Sequence, residues 1–103
     1  MNNYEITEVS WEVVSQEHTI NRLRELTGSD ADGWGVHAKN GWWNFEGLSG
    51  TYVFKSKAGI TRSMKMAAKE NEGTGEFFHY VIFQRPNGLW EGYVNFSKVE
   101  VAA

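Results

Sequence analysis

The turn that closes on Gly88 constrains this chain more than any other feature. Residues 77–84 and 89–96 are rich in β-branched and aromatic side chains, and Arg85-Pro86-Asn87-Gly88 separates them. Proline presets the φ that such a turn needs, and glycine accepts the positive φ that completes it. The segment therefore reads as an antiparallel hairpin with Asn87-Gly88 in its turn.

The other elements follow from periodicity. Tyr4 and Ile6 alternate in one phase and Val9, Trp11 and Val13 in the other, so a first strand changes phase near Thr7 and Glu8, as a bulge would make it do. Ser15 is placed to cap a helix over 16–27, in which Ile20, Leu23 and Thr27 keep helical spacing and Gly28 supplies the left-handed stop. Residues 34–39 and 42–46 flank Asn40-Gly41, a strong hairpin signal. Residues 51–55 read as a strand. Ser56 caps a second helix with Ile60, Met64, Ala67 and Ala68 on one stripe, and Gly73 and Gly75 end that region.

The sequence thus runs strand, helix, strand, strand twice. Ile20-Asn21-Arg22 corresponds to Ile60-Thr61-Arg62, and His37 before Asn40-Gly41-Trp42-Trp43 to His79 before Asn87-Gly88-Leu89-Trp90. A tandem βαββ pseudo-repeat is one reading, and chance likeness of short units the other. The expected fold is α+β, an antiparallel sheet with two helices on one face. Its other face would then carry exposed aromatics.

A chain of 103 residues fits one domain, 1–103, and needs no covalent staple. Without cysteine there is no disulfide framework and no thiolate zinc site, and with no apolar stretch of membrane-spanning length the expected location is the cytoplasm. A formal charge of -3 with interspersed signs argues against a reader of duplex nucleic acid, since only Lys55 to Lys69 is locally basic.

No catalytic set emerges. Gly33-Trp34-Gly35 and Gly73-Thr74-Gly75 lack the rest of a nucleotide fingerprint, and Asp30 and Asp32 before Gly33 lack the terminal carboxylates of a calcium loop. The three histidines, His18, His37 and His79, have no metal-ligand spacing, so neither metal nor cofactor is expected. Ser49 does not sit in a nucleophile elbow, and Glu46, Glu76 and Glu91 read as solvated glutamates. The expectation is a non-enzyme; a small hydrolase using His37 or His79 with a nearby Glu is the third-ranked reading.

The aromatic content is high for a chain this size, 15% of residues with five Trp, and reads either as filling for a thin core or as a recognition surface. Trp and Tyr are enriched at binding hot spots, so Trp34, Trp42, Trp43, Trp90 and Tyr93, with Asn87 at the hairpin turn, are the candidate binding residues. Adjacent Trp42 and Trp43 in a regular strand would face opposite ways, one into the core and one toward a partner.

From Ser56, which opens a short Ala-rich helix to Lys69, through the hairpin at Asn87-Gly88-Leu89-Trp90, the second half resembles the compact strand-helix-strand-strand units of some phage-encoded anti-CRISPR proteins. The likeness spans residues 55–99. It implies a cytosolic protein that inhibits a bacterial defence complex by occupying its surface. The first expectation is accordingly a binding or inhibitor protein with a protein or ribonucleoprotein partner, itself a monomer or homodimer. The alternative is a single-stranded nucleic-acid or nucleotide binder that stacks bases on Trp and Tyr while Lys55, Lys57, Arg62, Lys65 and Lys69 supply charge.

Overall fold

The computed structural model describes residues 3–27, 34–38, 41–43 and 53–98. The hairpin anticipated around Gly88 forms its centre. Strands β4 (Glu76–Gln84) and β5 (Trp90–Lys98) pair antiparallel along nine residues each. In the turn the Gly88 N–H donates to the Arg85 carbonyl at 2.9 Å, the Arg85 N–H to the Leu89 carbonyl at 2.7 Å, and the Leu89 N–H to Asn87 Oδ1 at 3.1 Å. Gly88 holds φ at +88°, a conformation that side chains disfavour.

Around this hairpin are β1 (Tyr4–Glu8), β2 (Trp34–Ala38) and the short β3 (Gly41–Trp43), in the sheet order β1-β4-β5-β2-β3. Helix α1 (Gln16–Thr27) has the bounds its spacing predicts, and the His18 N–H donates to Ser15 Oγ at 3.0 Å. Helix α2 (Lys57–Glu70) starts at Ser56, whose side chain accepts from the Gly59 N–H at 3.0 Å. Both serine caps are therefore in place. No helix among the described residues is long and apolar enough to cross a membrane.

The α+β class stands, and two parts of the expected architecture are corrected. The sheet is mixed, because β1 runs parallel to β4, with Tyr4 opposite Phe78 and Glu8 opposite Ile82. The helices cover opposite faces rather than one. Ile60, Met64 and Ala68 of α2 pack on Phe78, Tyr80, Ile82, Trp90 and Val94, whereas Leu23 of α1 packs on Trp34, Val36, Val81, Phe83 and Tyr93. The cause is visible in β4, where neighbouring residues Tyr80, Val81, Ile82 and Phe83 are all buried, so both of its faces require cover. The phase change at the N-terminus serves the same layering: Tyr4 and Ile6 join the α2 side, and Val9, Trp11 and Val13 join the α1 side.

The two halves pair differently: β1 pairs with β4, whereas the described segment before α2 contributes one antiparallel bridge, Phe54 to Trp90. The strand expected over 51–55 shrinks to that bridge, with residues 51 and 52 outside the described set. In the first hairpin Ala38 pairs with Gly41, which moves the connection from Asn40-Gly41 to residues 39–40. The stop at Gly28 lies outside the described residues. Gly92 decides how closely α2 approaches: a Cβ there would lie 2.2 Å from Met64 Cε and 2.8 Å from Ile60 Cδ1.

Candidate docking face on helix α2

Three of the candidate binding aromatics, Trp34, Trp90 and Tyr93, do not lie on an exposed sheet face. Trp34 is 2% exposed, Tyr93 5% and Trp90 9%, each packed under a helix. Their burial follows from the two-sided cover of the sheet, which one-sided packing would have left open. Register places Trp42 opposite His37 and Trp43 opposite Val36, and the side chains of both lie outside the described residues. Asn87 is exposed, and its side chain serves the turn by accepting from Leu89.

Tyr93 and Glu91 belong to a polar network beneath α1. Glu91 is 5% exposed, not solvated as its sequence context suggests. Arg85 Nε donates to its Oε2 at 2.6 Å and the Tyr93 hydroxyl to its Oε1 at 3.2 Å. Burial first, and then the neighbouring carboxylate, push the Tyr93 phenol well above its ordinary pKa; the hydrogen bond to Glu91 likewise raises Arg85. Each ion therefore has its counter-charge, as a buried carboxylate requires. The network reads as structural.

Of the histidines, His79 is half-exposed and lies 3.9 Å from Glu5. Among the described residues no three His, Cys, Asp or Glu side chains are grouped to hold a metal. His37 is buried in β2, stacked on Phe54 and edge-on to Tyr80, and its Nε2 is 2.8 Å from Ser63 Oγ on α2. Burial lowers the His37 pKa to about 4, so the ring is neutral at physiological pH. A base that weak takes little of a serine proton, and among the described residues no carboxylate orients the other ring nitrogen. The contact ties α2 to β2 and gives a polar floor to a cavity of about 600 Å³, lined by Phe54, Ser56, Arg62, Met66 and Ala67 among others.

The feature left without an internal explanation is the outer side of α2. Residues 55–69 contain five of the chain's ten Lys and Arg and none of its thirteen Asp and Glu. Lys57 is neutralised by Glu8 of β1. Arg62, Lys65 and Lys69 are exposed, and no carboxylate pairs with them among the described residues. At i, i+3 and i+7 they form one ridge about 10 Å long. Between them runs a second groove of about 370 Å³ that includes Ala58, Thr61 and Met66, the last of which is 58% exposed.

Sequence reasoning found the basic segment but not its role, because a helical wheel identifies the ridge only once the buried stripe of Ile60, Met64 and Ala68 is fixed. Ser63 was legible in part: it lies three residues after Ile60 and four before Ala67, at the edge of that stripe. Nothing local, however, pairs it with His37. Comparison of the chain with protein-family models, with curated proteins and with solved structures finds no match.

Proposed function

We propose that this chain is a small non-enzymatic binding protein that acts in the cytoplasm by occupying an acidic surface of a protein partner, with the outer ridge of α2 as its docking face. The ridge of Arg62, Lys65 and Lys69 carries this reading. Like charges three and four residues apart disfavour an isolated helix by roughly 0.2–0.5 kcal/mol per pair, and in a chain of net charge -3 carboxylates are plentiful enough to neutralise them. A partner that brings carboxylates to the ridge removes that repulsion and gains steering at long range. Exposed Met66 beside the ridge supplies an adaptable apolar contact.

Inhibition of a bacterial defence complex, as the resemblance of residues 55–99 implies, is one form of this activity, for α2 lies within that stretch and an inhibitor of this type works by covering a surface. Stacking of single-stranded nucleic acid has less support. Among the described stacking candidates Trp34, Trp90 and Tyr93 are buried and offer no platform for bases.

The test compares the native chain with a Lys65→Glu/Lys69→Glu variant as immobilised baits in a nuclease-treated host lysate. One protein should be retained by the native chain and weakened about tenfold or more by charge reversal and by added salt, with the thermal midpoint unchanged. Equal capture by both baits, or capture that disappears on nuclease treatment, would overturn the assignment.

A further inference from the structure

We infer that the cavity floored by His37 and Ser63 receives a tyrosine side chain of the partner, so that the recognised element is an acidic segment with an aromatic anchor; this rests on the docking role of the α2 ridge. The cavity and the ridge are contiguous, because Arg62 and Met66 line both. Its volume of about 600 Å³ lies in the range of pockets that enclose a ligand group, and Phe54, Met66 and Ala67 give it apolar walls. Buried aromatic anchors set in such pockets dominate the energetics of many interfaces.

The floor selects among anchors. His37 is neutral, and Ser63 Oγ, engaged with His37 Nε2 at 2.8 Å, keeps further hydrogen-bonding capacity. A carboxylate pushed down onto the floor would lose its hydration to the neutral His37 and Ser63, which is costly, so acidic side chains stay at the rim, where Lys55 and Arg62 line the cavity beside Glu70, and on Lys65 and Lys69. A phenol places its ring against the apolar walls and its hydroxyl on the serine, matching both halves of the lining.

Three polymers separate the possibilities: a random Glu–Tyr copolymer, polyglutamate and oligothymidylate, each titrated into the full chain by calorimetry. The copolymer should bind about tenfold more tightly than polyglutamate. Ala67→Phe, which fills the cavity, should erase that margin while leaving polyglutamate affinity unchanged. Ser63→Ala, which removes only the hydroxyl, should shrink it severalfold and decides the matter should the larger substitution unfold the chain. Equal binding of copolymer and polyglutamate, or a margin that survives both substitutions, overturns the tyrosine anchor but leaves the ridge standing. Polyglutamate binding indifferent to Lys65→Glu/Lys69→Glu removes the ridge instead, and tighter binding of oligothymidylate than of the copolymer overturns both.

Discussion

The two faces of the sheet are closed by different means. On the α2 side the cover is apolar and close: Ile60, Met64 and Ala68 sit against Tyr80, Ile82 and Val94, and the missing side chain at Gly92 lets the helix settle onto β5. On the α1 side the described side chains of the helix contribute only Leu23 and Thr19 as fully buried, and the remaining space holds Glu91, Arg85 and Tyr93. Trp34 Nε1 and His18 Nε2 are buried there with no hydrogen-bond partner among the described residues. A dry face derives its hold from area and shape, whereas the α1 face depends on a few polar contacts being complete. The difference also leaves the outer side of α2 free to carry charge, because its inner stripe supplies most of its hold.

Three perturbations bear on this contrast. The largest should come from Arg85→Met, which leaves the Glu91 carboxylate buried with Tyr93 as its partner. Loss of about 3–5 kcal/mol in chemical denaturation is expected, and a second substitution, Glu91→Leu, should restore most of it. A loss below ~1 kcal/mol would mean that the α1 face does not depend on the ion pair.

The buried histidine on the dry face tests the other half. The folded pKa of His37, about 4, lies below the ordinary 6.5, so the unfolded chain takes up a proton that the folded chain refuses. Stability should therefore be lost as pH falls from 6.5 to 4, by about 3 kcal/mol from this residue, and no further below that window. His37→Gln isolates the effect: native and variant curves should converge by that amount between neutral pH and pH 4. Parallel curves would show that the ring is not held neutral.

The smallest effect concerns the helix starts. Ser15→Ala and Ser56→Ala should each cost roughly 0.5–2 kcal/mol, but amide exchange should quicken throughout α1 and only in the first turn of α2, since three buried side chains hold the latter. Identical exchange patterns would make the two helices equally anchored.

Local signals in the sequence carried local structure well. Ser15, Ser56 and the spacing behind them located both helices, and Pro86 with Gly88 located the central turn. The phase change between Ile6 and Val9 was also legible, but its meaning was not, because it reflects two covered faces and a parallel partner far along the chain. Glu91 and Tyr93 alternate with Trp90 and Gly92 as a solvated face would; α1 covers them, and nothing near them in sequence says so. Trp34, Trp90 and Tyr93 fill the core for the same reason, one of the two roles their size allows. In the first hairpin each cross-strand partner is shifted by two residues from the expected one, which leaves every paired residue on its own side of the sheet, and Asn-Gly chemistry alone did not exclude it.

The parallel pairing of β1 with β4 has a consequence for how the chain is made. Tyr4 must find Phe78, and Glu8 must find Ile82, across almost everything between them. At a synthesis rate of ~5–20 residues per second, β1 leaves the ribosome several seconds or more before its partner exists. Its apolar residues Tyr4 and Ile6 have no seat on the sheet during that interval. The β4–β5 hairpin can form within microseconds once it emerges, so β1, made earlier than its partner, should be the last strand to lock, with its rate set by loop closure rather than by strand propensity.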